Sequence, residues 1–156
     1  MNDMGAEQEE IKNLLLIMAN LPEFLRMSFA RRKVSELSYM SESDRRTTIG
    51  FAVHCLSEVE PNISTKLITS WIKAMCEVEP TTLVGLMESY SAALLDDMNF
   101  VNAHPQNLAN AYRSLSRECQ DRIIAGLKEA LYLSPDATKL VKMLPVSLRT
   151  IMGYES

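Results

Sequence analysis

Proton transfer and metal binding near neutral pH draw first on histidine, cysteine and clustered carboxylates. The chain holds two histidines, His54 and His104, and three cysteines, Cys55, Cys76 and Cys119. Neither histidine belongs to a His-Glu-x-x-His or Glu-x-x-His run, so the helical spacings of zinc proteases and di-iron carboxylate proteins are missing. His54 and Cys55 are adjacent, and neighbours on a helix point about 100° apart. A metal there would have to recruit Cys76 or Cys119 from other helices. A simpler use of His54 is an i,i+4 contact with Glu58. His104 precedes Pro105 and is expected in an exposed loop.

Other catalytic signatures are also missing. Gly5, Gly50, Gly85, Gly126 and Gly153 are isolated, whereas a phosphate-binding loop gathers several glycines in one turn. No serine sits in a Gly-x-Ser-x-Gly elbow. Glu58 and Glu60 mark one turn, Glu77 and Glu79 the next. Consecutive turns of antiparallel helices emerge at opposite ends, so these acids should not form a paired-carboxylate site. The reading is a protein without catalytic residues, cofactor or metal, not an enzyme. A small enzyme or metal protein centred on His54 and the cysteines is a minority alternative.

Charge points more clearly to a surface. Lys and Arg number 16 against 20 Asp and Glu, a net charge of −4, which excludes a strongly basic nucleic-acid binder. One basic group stands out. Arg31, Arg32 and Lys33 are read near the end of one helix, and Arg45 and Arg46 in the first turn of the next. These five should gather around one hairpin tip as an anion- or partner-binding site. Cations near a helix C-terminus complement its dipole, which accounts for the first three but not for Arg45 and Arg46. Over residues 23–49, six positive charges face four negative ones. Exposed aromatics to interleave with them are few, so nucleic acid is possible but not favoured.

A second candidate surface is apolar. Leu14, Leu15, Leu16, Ile17 and Met18 cover the whole circumference of a helix, and a helix apolar all round must be buried on all sides. A terminal helix of a chain this short should manage that only by packing against another copy or a protein partner. Ten methionines fit flexible core filling or an adaptable binding surface.

These residues are positioned by helices throughout. Ile49, Ala52, Val53, Leu56 and Val59 follow one helix face, as do Ile68, Trp71, Ile72 and Met75, then Leu83, Leu86, Met87, Tyr90 and Leu94. No long alternation or Asn-Gly turn marks a strand. Pro22, Pro61, Pro80, Pro105, Pro135 and Pro145 suit first helical turns, and Ser41 and Ser116 suit N-caps. The pattern predicts helices near 6–20, 22–38, 43–59, 62–78, 81–98, 105–115, 117–133, 135–144 and 145–153.

Helix starts recur every 19 or 20 residues outside one irregular passage at 99–115. Glu-Val-Glu-Pro occurs at both 58–61 and 77–80. The hairpin period of about 39 residues resembles the HEAT/armadillo class, whose repeats run to about 40–47 residues. The expected fold is all-α: antiparallel helical hairpins, either a closed bundle or a short HEAT-like stack of about eight or nine helices. Residues 1–6 are read as a frayed N-terminus and 7–156 as a single helical domain. Gly50, Gly85 and Gly126 fall inside helices, and close helix–helix approach is the expected reason. Cys55, Cys76 and Cys119, 21 and 43 residues apart, look like a poor disulfide framework and are read as three small buried side chains in a reducing cytoplasm. No apolar run approaches the ~18 residues of a membrane span. The function expected is protein–protein interaction or regulation, with a protein partner or homo-oligomer. An anion- or nucleic-acid-binding regulator using Arg31–Arg46 is the alternative.

Overall fold

Capping chemistry sets the helix starts. The computed structural model describes residues 3–99, 102 and 105–154. Among these the regular structure is helical, with α1 Asp3–Ala19, α2 Glu23–Tyr39, α3 Glu42–Glu58, α4 Pro61–Met75, α5 Pro80–Asp96, α6 Pro105–Arg113, α7 Arg117–Leu133, α8 Ala137–Met143 and α9 Val146–Ile151. The Ser41 hydroxyl accepts from the Asp44 N–H at 3.2 Å, and Ser116 from the Cys119 N–H at 3.2 Å. Each satisfies one of the amides that a helix start leaves unpaired. Pro61 and Pro80 each occupy a first turn, after Glu60 and Glu79, where the absent N–H costs nothing. α2, α3, α4 and α5 therefore begin 19 residues apart. α1 begins at Asp3, earlier than expected. Met1 and Asn2 of the expected frayed segment, and His104, lie outside the described residues.

Turns of two to four residues make the first five helices alternate in direction. From α1 to α5 each helix packs on the next but one: α1 on α3, α2 on α4, α3 on α5, α4 on α6 and α5 on α7; α6 packs on α9, three further along the chain. Two layers result, one of α1, α3, α5 and α7, the other of α2, α4, α6 and α9. α8 leans on α7. The arrangement is a two-layer stack. The main core runs between the layers and includes Val34, Ile49, Ile68, Leu86 and Ile123. Smaller clusters close the two ends, Met18 and Ala19 on Leu67 at one, and Leu131, Leu140, Leu144 and Met152 at the other.

The register within a layer repeats. Arg26, fourth residue of α2, donates through Nε to Ser70, tenth residue of α4, at 2.8 Å. Arg45, fourth residue of α3, does the same to Ser89, tenth residue of α5, at 2.7 Å. Leu83, fourth in α5, lies against Gly126, tenth in α7. Asn107 of α6 donates to the Ser64 hydroxyl of α4. Residues 43 or 44 apart thus face each other along the whole stack.

This register overturns the reading of the cysteines. Cys76 and Cys119 are 43 apart in sequence and are joined by a disulfide, with a Cα–Cα distance of 5.6 Å. The spacing that looked too wide for a bridge is the spacing of facing positions. Cys55 lies outside the bridge and is buried. Burial, with Glu58 adding to it, pushes its thiol above the ordinary range.

The glycines divide as well. A Cβ on Gly126 would stand 3.0 Å from Leu83 Cγ, whereas one on Gly50 or Gly85 would meet nothing within 4 Å. Close approach accounts for Gly126 alone.

Two outcomes follow for stability, each read by urea titration with the slope checked for constancy. Gly50→Ala and Gly85→Ala should each stabilise by about 0.5–1 kcal/mol through helix propensity, whereas Gly126→Leu should destabilise by about 1–3 kcal/mol through overpacking. Replacing Cys76 and Cys119 together by serine should cost roughly 2–4 kcal/mol, since the bridge closes a long loop of the unfolded chain.

Candidate functional site

The five basic residues do not meet at a hairpin tip. α2 runs on to Tyr39 and has no basic residue in its last turn, so Arg31, Arg32 and Lys33 lie in its middle. The apolar pattern of α2 continues through Val34 and Leu37, both buried, which carries the helix past the charges. Arg31 forks onto the Glu77 carboxylate at the α4–α5 turn, at 2.7 and 3.1 Å. That contact holds its guanidinium more firmly charged than usual. Lys33 pairs with Glu36 at 3.0 Å and stands over the Phe29 ring. Arg45 turns inward to Ser89, and Arg46 pairs with Glu42 at 2.9 Å. Arg32 is exposed on α2. Four of the five are thus engaged within the stack.

Arg122 had no motif to mark it, yet it holds a structural position. Its guanidinium donates to the Cys76 and Val78 carbonyls just beyond the end of α4, where helical carbonyls lack partners. Only the 44- and 46-residue spacing to its acceptors would have given it away. The groove beside it, about 430 Å³, includes the disulfide and the Arg31–Glu77 and Glu23–Lys73 pairs. Lys73 holds the Glu23 carboxyl below its usual range, first by a hydrogen bond and then by its charge. These charges stitch α2 to α4.

His54 lies between two carboxylates, Glu58 at 3.3 Å from Nε2 and Asp97 at 3.3 Å from Nδ1. The Glu58 contact is the i,i+4 pair expected from sequence, and Asp97 is the 43-residue partner. Cys76 and Cys119 cannot supply thiolates to a metal while bridged to each other. Among the described residues no group of three or more His, Cys, Asp or Glu is placed to hold a metal ion.

The apolar candidates differ from expectation in an informative way. Met18 and Ala19 are buried against Leu67, and Leu15 and Leu16 are half-buried. Leu14 and Ile17 stay 39% and 60% exposed. One side of α1 is covered and the other is open. The same holds for the whole stack. Large apolar side chains exposed among the described residues are Leu14, Ile17, Phe24, Leu25 and Tyr39 at one end and Tyr132, Leu133, Met143 and Val146 at the other. None falls in residues 40–131, where α3 to α6 and most of α7 lie. The second end also carries an open groove of about 530 Å³ whose lining includes Lys128, Leu131, Tyr132, Val141, Lys142 and Tyr154. Ser147 Oγ and Arg149 Nε on α9 are the buried side-chain atoms without a hydrogen-bond partner among the described residues.

Comparison with known proteins gives no match to any protein family, curated protein or solved structure. No described helix is long and apolar enough to cross a membrane.

If the arginines serve the stack, truncation should separate them. Arg45→Ala, which leaves the buried Ser89 hydroxyl without its donor, should lower stability by about 1–2 kcal/mol, while Arg32→Ala should stay within about 0.5 kcal/mol. Equal effects in thermal unfolding would contradict this division.

Proposed function

We propose that the chain is a non-enzymatic protein–protein interaction module, of the adaptor or self-associating kind, that binds through the two ends of its helical stack. The observation that carries the reading is the confinement, among the described residues, of exposed large apolar side chains to residues 14–39 and 132–146. A stack of helices buries each internal face on a neighbour. Its terminal helices have no neighbour on one side, so stacked proteins that stand alone need polar outer faces there. Leu14, Ile17, Phe24, Tyr132 and Leu133 are the opposite of polar caps. Covering them removes apolar surface from water, at roughly 25 cal/mol per Å².

The alternative, an anion- or nucleic-acid-binding regulator, drew on Arg31–Arg46, and the internal pairing of Arg31, Lys33, Arg45 and Arg46 weakens that support. A Cys76–Cys119 bridge also favours an oxidising compartment over a reducing cytoplasm as the workplace.

Site-specific photo-crosslinking in the native host tests the proposal. Photoreactive side chains at Ile17 and Leu133 should form adducts with protein, and one at Lys66, exposed in mid-stack, should not. Labelling at Lys66 equal to that at the ends, or no adduct anywhere, would remove the reading.

A further inference from the structure

The open ends carry opposite charge as well as apolar surface. Along α1, Glu7, Glu10, Leu14 and Ile17 fall at i, i+3, i+7 and i+10, one face of a helix, and all four are exposed. The helix has four acidic residues and one basic. Its outward face is acidic in the first half and apolar in the second. At the far end the groove between α7, α8 and Tyr154 has an apolar floor that includes Leu131 and Val141, with Lys128 and Lys142 beside it and, among the described residues, no carboxylate in its lining. Residues 128–154 hold four basic and two acidic side chains.

We infer that the occupant of the Lys128–Lys142 groove is α1 of a second copy of this chain, giving a head-to-tail assembly. The inference rests on the reading of the stack ends as interaction surfaces. Leu14 and Ile17 cover Tyr132 and Val141, and Glu7 and Glu10 meet the lysines. Like ends gather like charge: two α1 helices would bring eight acidic residues together with two basic ones, and two grooves would bring together Lys128 and Lys142 of both copies. Like charges set together across an interface disfavour association, so sign selects the unlike pairing. A contact between two different surfaces does not satisfy itself in a dimer. It leaves one α1 and one groove uncovered and continues to a ring or an open chain.

Sedimentation of the full chain over a wide concentration range tests this. The parent should associate beyond a dimer as concentration rises. Ile17→Glu, which spoils α1, and Lys142→Glu, which spoils the groove, should each weaken association about tenfold or more. Both positions are exposed, and unchanged melting curves confirm that the variants fold. Mixed in equal amounts, the two variants should form a dimer that grows no further, since one supplies an intact groove and the other an intact α1. On the unaltered chain, zero-length carboxylate–amine coupling of isotopically distinct copies should join Glu7 or Glu10 of one to Lys128 or Lys142 of another.

A parent that stays monomeric, a mixture that fails to pair, or inhibition by Ile17→Glu with none by Lys142→Glu would overturn the head-to-tail assembly. The last pattern would indicate a contact between like ends. A monomeric chain that still forms protein adducts at Ile17 and Leu133 would end this inference while leaving the interaction module standing. A monomeric chain without adducts would end both.

Discussion

Everything in this molecule depends on one constraint: a 19-residue unit of one helix and one short turn, repeated from α2 to α5 so that every second helix points the same way in a fixed register. A 17-residue helix is about 25 Å long, and three of the four successive helices from α2 to α5 have that length. Equal rods with short links can only fold back on one another, and the third rod then lies along the first. The offset between layer neighbours puts position four of one helix beside position ten of the next but one. Arg26 with Ser70, Arg45 with Ser89 and Leu83 with Gly126 are the same contact made three times with different chemistry.

That register explains features that look unrelated in a list of residues. The disulfide, the His54–Asp97 pair, the Asn107–Ser64 bond and the Arg122 bonds to carbonyls all join residues 43 to 46 apart. Polar side chains at facing positions satisfy one another as the helices approach, which removes the penalty of leaving such groups unpaired. Trp71 and Tyr90 hold the same place in α4 and α5, 19 residues apart, and the indole N–H donates to the phenol oxygen. Burial raises that phenol above its ordinary range.

A layered stack has an inside and two ends, and its physical weakness is at the ends. Internal faces are covered by construction, and residues 40–131 accordingly expose no large apolar side chain among those described. The terminal helices obey the same amphipathic logic without a neighbour to complete it. The reading of the protein as an interaction module therefore grows from the geometry that makes it stable. A sequence that repeats its packing surface builds, at each end, half of a contact that it already knows how to make.

Much of this was legible in the amino-acid order. Helix type, the starts near 23, 42, 61, 80 and 117, the caps at Ser41 and Ser116 and the 19-residue period follow from local rules: apolar residues every three to four positions, a hydroxyl before a first turn, proline where no amide is needed. The His54–Glu58 pair is also local. What only the tertiary structure decided is how far the chain must travel before it meets itself. The 44-residue contact register comes from the offset between stacked helices, which no local pattern encodes, so the cysteine bridge and the inward turn of Arg45 were invisible from sequence. The fate of α1 was likewise undecided by its composition, because an all-round apolar helix states that it wants covering while only the stack reveals which side goes without.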